Sequence, residues 1–248
     1  MTDMRTIVIS DAHGYPQLIT AALEHSGFRQ GVNRLIYAGD FLDRGSRAEE
    51  CLEVLEDAGA EILWGNHEAA VLLGWPIWPQ NEESQAFRSR LLRRFAAGDW
   101  QLVTCIDGVL VSHAGLSAAY GPDFILSGAD PGALAARINQ EFREEALRWL
   151  ASGRGAEVPR VFGEFGPLWL RPAEMGPAGL LPCVVQIAGH THLDDETAGE
   201  LREAGLHSTD PGVGVGWEWL ALPFWRYAVV RCGVVEIVRE DRILRCAS

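Results

Sequence analysis

The stretch EILWGNHEAAV, residues 61–71, passes from an apolar run directly into a polar cluster. Gly65 and Asn66 are residues that commonly follow a strand in a turn. His67 and Glu68 come next, in place of further small turn residues. A neutral amide beside an imidazole at the end of a strand is unusual enough to ask whether other strands of this chain end in the same way.

The sixty residues before this stretch alternate between apolar runs and helical patterns. Residues 6–10 and 34–40 read as strands, and each is followed by a signal for the start of a helix. Pro16 is the first signal, and the capping-box pattern at residues 46–49 is the second. Together with the run at residues 61–64, this β-α-β-α-β order predicts an α/β fold with parallel pairing in the first part of the chain.

The remainder of the chain predicts further strands and one long helix. Residues 101–113 read as a hairpin around Asp107 and Gly108. A helix is expected from Pro131 to about Leu150, and a strand over residues 183–189. The runs at residues 219–224, 226–232 and 234–239 predict antiparallel strands. We expect one domain over residues 1–248, in which segments 74–98 and 114–180 form lids or caps over a site.

Composition indicates a globular chain of a reducing compartment. The chain has 248 residues, of which 48% are apolar, so it can bury a substantial core. Five single cysteines, none in a CxxC pair, favour reduced thiols. The sequence shows neither a signal peptide nor an apolar run long enough to span a membrane, so a cytoplasmic location is expected.

The charged residues exclude several classes of chemistry. All 21 basic residues are arginine, so there is no lysine for a Walker-type phosphate loop or a Schiff base. The net charge of −13 argues against general binding of nucleic acid, which needs a basic surface. An acidic chain that handles phosphate needs a local cation to reverse the field.

Five strands of the predicted fold end in polar clusters. Five of the seven histidines fall in these clusters. Carboxyl ends of strands are where sites assemble in open α/β sheets. The clusters are SDAHG (10–14), GDFLDRG (39–45), GNHE (65–68), SHAG (112–115) and GHTH (189–192).

The donor groups of these clusters are imidazole nitrogens and carboxylate oxygens, without thiolates. Such a set suits a borderline transition metal. It holds more ligands than one tetrahedral zinc ion uses, whereas two metals that share a bridging carboxylate would use them all. Two-metal sites with ions about 3.5–4 Å apart are a standard apparatus for phosphoryl displacement.

The five motifs resemble the ordered motifs of the calcineurin-like metallophosphoesterases. The spelling GDxxDRG with GNHE is most similar to the phosphoprotein phosphatase branch and its bacterial relatives, which include symmetrical diadenosine tetraphosphatases. The motifs span residues 10–192, and residues 208–222 resemble the Asp-rich turn and closing hairpin of the family. The resemblance implies an αββα sandwich, in which two mixed β-sheets pack together between helices and the metals lie at one sheet edge.

The resemblance also implies the metal ligands. The first metal would take Asp11, His13 and His192, and Asp40 would bridge the two ions. The second metal would take Asn66, His113 and His190. Mn²⁺ is the first ion to test, and Fe, Zn or Ni would suit the same ligands.

The remaining roles carried over by resemblance concern the substrate. His67 would donate a proton to the leaving oxygen, and Asp43 would accept a hydrogen bond from it and favour its charged form. Arg44 would clamp phosphate oxygens, as a guanidinium can in bidentate fashion. A second phosphate arginine is expected, for which we choose Arg171 over Arg160, Arg154 and Arg137.

The expected mechanism is direct hydrolysis without a phosphoenzyme. Two metals would lower the pKa of bound water to about 7, so that it can attack phosphorus in line as hydroxide. Arg44 and the metals would stabilise charge on the equatorial oxygens. Protonation of the leaving oxygen by His67 would contribute about 10²–10⁴-fold.

Three features depart from the pattern or stay open. His192 stands where the phosphatases often have proline, so it either completes the shell of the first metal or points away. The triplet Gly212-x-Gly214-x-Gly216 does not match a dinucleotide loop and predicts a hairpin turn. Tryptophans are usually core residues, but Trp75, Trp78 and Trp169 fall in the lid segments, where rings could stack on a nucleobase.

The sequence predicts a phosphatase for phosphoserine- or phosphothreonine-type monoesters. The alternative is symmetrical cleavage of diadenosine tetraphosphate into two ADP by the same metal core, so the expected partner is a phosphorylated protein or a small nucleotide. A ring-lined slot would favour the dinucleotide, and an open groove would favour a protein. A non-catalytic scaffold would show gaps in the ligand set, and none is seen. A cyclic-nucleotide phosphodiesterase fits the Asp43-Arg44-Gly45 element poorly.

Overall fold

The computed structural model describes residues 4–75, 81–121, 128, 130–152, 160–212 and 225–239. Within these ranges the chain forms two mixed β-sheets. The strands are β1 (Thr6–Ile9), β2 (Arg34–Tyr37), β3 (Glu61–Ile62), β4 (Val103–Ile106), β5 (Val109–Ser112), β6 (Gln186–Ala188), β7 (Leu206–Ser208), β8 (Arg226–Arg231) and β9 (Val234–Arg239).

The larger sheet has five strands in the order β3-β2-β1-β8-β9. β1 pairs in parallel with β2, and β2 pairs in parallel with β3, as the β-α-β-α-β order predicts. β8 pairs antiparallel with both β1 and β9. The predicted antiparallel pairing of residues 226–232 with 234–239 is therefore confirmed, whereas residues 219–224 lie outside the described ranges.

The smaller sheet has the strand order β4-β5-β6-β7. β4 and β5 form the predicted hairpin, in which Ile106 pairs with Val109 across the turn. β5, β6 and β7 pair in parallel, so their carboxyl ends lie at the same edge. That edge is where the SHAG and GHTH motifs leave the sheet.

The helices lie outside the two sheets. The long helix predicted from Pro131 is observed and ends at Ser152. The helices are α1 (Pro16–Ser26), α2 (Ala48–Asp57), α3 (Asn66–Leu73), α4 (Glu82–Ala86), α5 (Arg88–Ala97), α6 (Pro131–Ser152), α7 (Pro172–Met175) and α8 (Asp195–Glu203). Short 3-10 turns occupy Arg160–Phe162 and Pro177–Gly179.

Apolar residues from both sheets form a core between them. Val8 and Ile36 of the larger sheet belong to the same buried cluster as Val111 and Ile187 of the smaller one. The opposite face of the larger sheet packs against α1 and α2, since Ile7 and Leu52 lie in one cluster. The layers are thus helix, sheet, sheet and helix, as the resemblance implied.

The start of α2 differs from the sequence prediction. The capping box at residues 46–49 would place Ser46 at the N-cap, but α2 begins at Ala48 with Arg47 as N-cap and without a side-chain cap. The backbone N–H of Ala48 instead donates to the carboxylate of Glu83 in α4, at 3.1 Å. A partner 35 residues away has therefore replaced the local cap.

The predicted lid segments contribute to the core where they are described. Leu91 and Phe95 of α5 are buried, and Trp75 stacks on Trp149 with ring centroids 5.4 Å apart. Trp75 is thus held inside an aromatic stack, and Trp78 lies outside the described residues. None of the described helices is both long and apolar enough to cross a membrane.

Candidate metal centre

The loops after β1 and β2 bring the first two motifs together. The backbone N–H of Asp11 donates to Gly39 O at 3.0 Å, and that of His13 donates to Asp40 O at 2.9 Å. The pairing of β1 with β2 therefore continues past the strand ends and aligns both motifs side by side. The third and fourth motifs arrive from β3 and β5 at the same edge.

Backbone strain is concentrated in these motifs. Among the described residues, nine non-glycine positions have positive φ, and six of them belong to the predicted site. Such conformations cost of order 1–3 kcal/mol each and persist where the surroundings impose them, commonly at functional sites. The six are Asp11, His13, Asp40, Asp43, Arg44 and His190.

Asp40 lies at the centre of the cluster. Its Oδ2 is 3.6 Å from His13 Nε2, 3.8 Å from His67 Nε2 and 3.4 Å from His113 Nε2. Two groups of side chains share this carboxylate, and within each group all ligand atoms lie within 4.8 Å of one another. The first group is Asp40, His13 and His67, and the second is Asp40, His113 and His190. A carboxylate common to two groups is what a bridging ligand requires.

The imidazoles of His13 and His113 are oriented by backbone carbonyls. His13 Nδ1 donates to Leu42 O at 2.7 Å, and His113 Nδ1 donates to Ala38 O at 2.9 Å. Metal-binding histidines are typically held in this way, because the bond to one nitrogen directs the lone pair of the other toward the ion. Both Nε2 atoms consequently face Asp40, so the donor set fits a cation.

Asn66 and His190 complete the second group. The Oδ1 atom of Asn66 lies 2.8 Å from His113 Nε2, and His190 Nδ1 lies 3.1 Å from the same nitrogen. Burial and the nearby His113 hold the pKa of His190 well below its usual range, so this imidazole is neutral and can act as a ligand. One amide oxygen and two imidazoles thus converge with the carboxylate of Asp40.

The close packing of ionisable groups in this cluster shifts the pKa values of Asp11, Asp40 and His113. Burial and the Asp210 carboxylate raise the pKa of Asp11 well above its usual range. Burial disfavours ionisation of Asp40 too, but the imidazoles of His113 and His67 outweigh it and hold the pKa of Asp40 well below its usual range. Burial disfavours the charged form of His113, yet Asp40 and Asp11 raise its pKa to about 10. Carboxylates buried together in this way favour a bound cation.

His67 is held by a carboxylate at its other nitrogen. Its Nδ1 lies 2.5 Å from Asp43 Oδ2, and its Nε2 faces Asp40. Burial opposes the charged form, but the carboxylates of Asp40 and Asp43 raise the pKa of His67. The second oxygen of Asp43 accepts from the backbone N–H of Asn81 at 2.9 Å, which fixes the carboxylate.

The predicted arginines lie at different depths. Arg44 is half-buried, and its charge lowers the pKa of both His13 and Asp210, so its guanidinium is near the centre. Arg171 is exposed, with Nε 3.9 Å from Glu174, and it lines a cleft beside His190.

The rivals of Arg171 are engaged elsewhere or lie outside the described ranges. Arg160 donates to Tyr120 O at 2.5 Å, Arg137 is exposed on α6, and Arg154 falls in the undescribed residues.

Two predicted metal ligands, Asp11 and His192, belong to neither group of converging ligand atoms among the described residues. Asp11 is buried beside the cluster, where both of its carboxylate oxygens accept from the backbone N–H of His190. His192 is the one that lies apart, and it is exposed. Its ring lies against Gly212, where an added Cβ would come within 2.7 Å of His192 Nδ1. The part of His192 in binding the first metal stays a prediction.

Two buried carboxylates in this region were not singled out from the sequence. Glu68 accepts from the backbone N–H groups of Asp40, Phe41, Leu42 and Gly65, at 2.8–3.1 Å. Its position at N3 of α3 is a signal that could have found it, because a glutamate there often reaches back to the residue before the helix.

Asp210 is the second carboxylate, and it follows β7. It is 4% exposed, and its Oδ1 accepts from the backbone N–H of Gly212 at 2.7 Å. The strand-end rule applied to β7 would have identified it. Its neighbour Thr209 joins the two sheets, with Oγ1 2.9 Å from the Oγ of Ser10.

A cleft of about 330 Å³ opens next to the cluster. Trp169 stands edge-on to His190, with ring centroids 5.6 Å apart. Aromatic and charged side chains therefore lie side by side within reach of the ligand atoms. The lining residues are Phe162, Glu164, Phe165, Trp169, Arg171, Glu174 and Met175.

Comparison with known proteins agrees with this geometry. The profile of the calcineurin-like phosphoesterases matches residues 4–194. Serine/threonine-protein phosphatase 2 of Escherichia coli is 35% identical over 65 residues, which are 26% of this chain and 30% of that protein. The symmetrical bis(5'-nucleosyl)-tetraphosphatase of Pseudomonas putida is 24% identical over 180 residues, 65% of this chain and 62% of that protein. The chain thus covers less than two thirds of either relative.

Solved structures support the fold. A cold-active protein tyrosine phosphatase superposes with a TM-score of 0.63 at 17% identity, covering 96% of this chain and 80% of that one. A serine/threonine phosphatase from Saccharomyces cerevisiae gives a TM-score of 0.54 at 16% identity, with 100% of this chain and 82% of that chain covered.

Proposed function

Because the chain belongs to the calcineurin-like phosphoesterase family, we propose that its cluster of strand-end residues is a dinuclear centre that hydrolyses phosphoric esters or anhydrides. The observation that carries the proposal is the carboxylate of Asp40, which is shared by two groups of converging imidazoles. A shared oxygen ligand is the arrangement by which two-metal hydrolases hold their ions close together.

The residues present suit two divalent ions. Asp11, His13 and Asp40 would hold the first ion, to which His192 is a proposed further ligand. Asn66, His113 and His190 would hold the second ion together with Asp40. When bound, such ions activate water as a nucleophile and neutralise charge on the phosphoryl oxygens. Mn²⁺ is our choice for reconstitution, and Fe, Zn or Ni suit the same nitrogen and oxygen donors.

The protein's own groups supply the proton and orient the phosphate. His67 carries a proton at Nδ1 that is held by Asp43, and its Nε2 is directed at the centre, where it would donate a proton to the leaving oxygen. Arg44, whose charge is felt at His13 and Asp210, would hold equatorial phosphoryl oxygens. Arg171 at the cleft would be the second phosphate clamp.

The first candidate substrate is a phosphomonoester of the phosphoserine or phosphothreonine type. It is supported by the presence of Asp43, Arg44 and His67 together. Arg44 would contact the phosphate, and His67, held by Asp43, would protonate an alkoxide leaving group. An alkoxide is a poor leaving group, so a held proton donor matters most for such esters.

The second candidate is a dinucleoside tetraphosphate, which the cleft beside His190 favours. Phe162, Phe165 and Trp169 present rings there, and Phe165 is 44% exposed. A volume of about 330 Å³ lies in the range of small-molecule sites. In this cleft the aromatic rings could stack on a nucleobase, and Arg171 could bind a phosphate group of the same nucleotide.

One assay tests the function and separates the two substrates. The full-length protein, loaded with Mn²⁺, is given diadenosine tetraphosphate and a phosphothreonine peptide in parallel, and the products are resolved by chromatography. ADP as the sole nucleotide product, with the peptide intact, identifies a symmetrical dinucleoside tetraphosphatase. Free phosphate from the peptide, with intact dinucleotide, identifies a protein phosphatase. Absence of both products would contradict the proposal and favour a non-catalytic scaffold.

The variant Trp169→Leu tests the role of the cleft. If a base stacks on Trp169, the KM for diadenosine tetraphosphate rises about 10-fold, since base–aromatic stacking contributes about 1–3 kcal/mol. Trp225→Leu is the matched control, because Trp225 stacks on Tyr227 and does not line the cleft. Equal KM values for both variants would reject base stacking at this position.

A further inference from the structure

A second cavity of about 330 Å³ lies where α8 and β7 meet the ends of β8 and β9. It shares no lining residue with the cleft beside His190 and contains none of the residues assigned to the proposed reaction. Its polar lining is dominated by basic residues. The charged and polar lining residues are Asp195, Arg202, His207, Ser208, Arg226 and Arg239.

Arg226 is the central basic group of this cavity. Its side chain is mostly buried at the start of β8, and it makes no hydrogen bond or ion pair with the described residues. Burial and the charge of Arg239 lower its pKa, yet a guanidinium stays charged in proteins. The carboxylates of Asp210 and Asp195 interact with this charge but form no ion pair with it among the described residues, so an anion in direct contact would stabilise the buried guanidinium further.

Two polar side chains of β7 also lack partners at this cavity. Ser208 is 8% exposed, and its buried Oγ has no hydrogen-bond partner within the described ranges. The buried Nδ1 atom of His207 is likewise unpartnered there. Buried polar groups are normally hydrogen-bonded, so each exception calls for an explanation such as a ligand or an ion.

The cavity's carboxylate is already engaged. Asp195 binds Arg239 through two hydrogen bonds, one of them 3.1 Å long from Nη2 to Oδ2. Arg202 and Arg226 then leave the cavity with positive charge in a chain whose net charge is −13. Positive potential confined to one cavity of an acidic protein attracts small anions.

We propose that this cavity binds a phosphate group, with Arg226 holding the oxygens in bidentate fashion and Ser208 donating its hydroxyl. Arginine forks match tetrahedral oxyanions in geometry and charge. The segment after β7 links the cavity to the proposed metal centre, because Ser208 lines the cavity and the next residue, Thr209, lies 2.9 Å from the hydroxyl of Ser10 in the first motif. The phosphate is either a second, uncleaved phosphate of a bound substrate or free inorganic phosphate. The substrate source rests on the proposed function, whereas the site itself does not.

Calorimetric titration of the Mn²⁺-loaded full-length protein with inorganic phosphate tests the site. Wild-type protein is expected to bind one phosphate at the metal centre and a second that disappears in Arg226→Gln. Arg231→Gln is the matched control, because Arg231 ends the same strand but is exposed and does not line the cavity. Ser208→Ala, a smaller change, is expected to weaken the second site about 10- to 100-fold, as loss of one hydrogen bond to a charged group would. Unchanged stoichiometry and affinity in both Arg226→Gln and Ser208→Ala would overturn the proposal.

The source of the phosphate follows from substrate kinetics. For the wild type and for Arg226→Gln, kcat/KM is measured on diadenosine tetraphosphate and on p-nitrophenyl phosphate. The first value divided by the second gives a ratio that is compared between the two proteins. A ratio about 10-fold lower in the variant identifies a second phosphate of the substrate, and an equal ratio identifies free phosphate. If the wild-type protein hydrolyses neither compound, the proposed function fails, while the phosphate titration still decides the site.

Discussion

At the scale of single residues, the chemistry depends on which nitrogen of each histidine faces the centre. His13 and His113 donate from Nδ1 to backbone carbonyls, whereas the Nδ1 of His67 is held by the Asp43 carboxylate. A carbonyl partner keeps the proton on Nδ1 and directs Nε2 toward the centre, where it can bind a metal, whereas a carboxylate partner favours the protonated form. The same residue type is thereby prepared for two different tasks.

The variant His67→Ala tests this division. We expect it to retain bound Mn²⁺ and to lose about 10²–10⁴-fold in kcat on alkyl phosphates, whose leaving oxygen needs a proton. Activity on p-nitrophenyl phosphate, which has a good leaving group, should fall much less. Metal content is measured by mass spectrometry, and His25→Ala serves as the control, since His25 lies outside the cluster and bonds Tyr227. An unchanged rate on alkyl phosphates would refute the proton-donor role.

Glu68 is expected to matter for stability more than for catalysis. Its carboxylate is fully buried and accepts from four backbone N–H groups in the loops that carry Asp40 and Asn66. Each buried donor left unpaired costs about 1–3 kcal/mol, so Glu68→Ala should lower the free energy of unfolding by about 3 kcal/mol or more. Urea denaturation measures the change. Glu53→Ala, at an exposed position of α2, should differ from wild type by less than about 0.5 kcal/mol, and equal losses in both would contradict this account.

At the scale of elements, the site depends on the close approach of the β2 and β3 ends. Gly39, which follows β2, has a φ of +87°, and an added Cβ would come within 2.5 Å of the Gly65 backbone. A methyl group at Gly39 would therefore push apart the loops that carry Asp40 and Asn66. The strand ends can meet only because both positions lack side chains.

The variant Gly39→Ala should destabilise the protein and weaken metal binding. Gly31→Ala is a matched control, because Gly31 also has a positive φ, +75°, but nothing lies within 4 Å of its added Cβ. The control should lose about 1–2 kcal/mol from backbone strain. Gly39→Ala should lose about 1–3 kcal/mol more from overpacking. Urea denaturation in EDTA compares the two, and equal losses would show that the close approach is unimportant.

Elements also explain why some local signals were misleading. The pattern at residues 46–49 predicts a cap from Ser46, yet α2 starts one residue later than that cap requires, and Glu83 of α4 accepts from the N–H of Ala48. Similarly, Trp75 was a candidate for a lid, but it stacks on Trp149 of α6. In both cases the observed contact is with a residue distant in sequence, and local sequence patterns do not predict such contacts.

At the scale of the whole molecule, the proposed metal centre lies where the two sheets meet. Asp11 and Asp40 follow strands of the five-stranded sheet, whereas His113 and His190 follow strands of the four-stranded sheet. Ions held between them would crosslink the sandwich at one edge. The stability of the folded chain should consequently depend on metal.

Metal removal is expected to lower the melting temperature. At a free ion concentration of about 100 times Kd, each bound ion adds about 2.7 kcal/mol, which corresponds to roughly 5–10 °C for a chain of this size. Calorimetric scans with Mn²⁺ and with EDTA measure the shift. Asp40→Asn should abolish most of the difference in melting temperature between Mn²⁺ and EDTA, whereas Glu53→Ala should retain that difference. A melting temperature independent of EDTA would contradict the dinuclear centre.

The donor groups at the strand ends and their order along the chain could be predicted from local sequence patterns. Alternation of apolar runs with helix signals was enough to predict the parallel β-α-β-α-β unit, the hairpin of β4 and β5 and the helix from Pro131. Asp40 and Asn66 were expected together because the carboxyl ends of parallel strands in one sheet share an edge, whereas their grouping with His113 is what the family resemblance implies. The secondary-structure elements follow from the periodicity of apolar residues, which can be recognised in short stretches of sequence.

How those groups face one another was set by the tertiary structure. It directed the Nε2 atoms of His13 and His113 toward Asp40, left His192 exposed, and placed Glu68 under the loop that carries Asp40. It also brought Arg226 to Ser208 across the two sheets. Such contacts join residues from 18 to more than 70 positions apart, and their directions depend on the register and packing of both sheets. No window of consecutive residues contains that information.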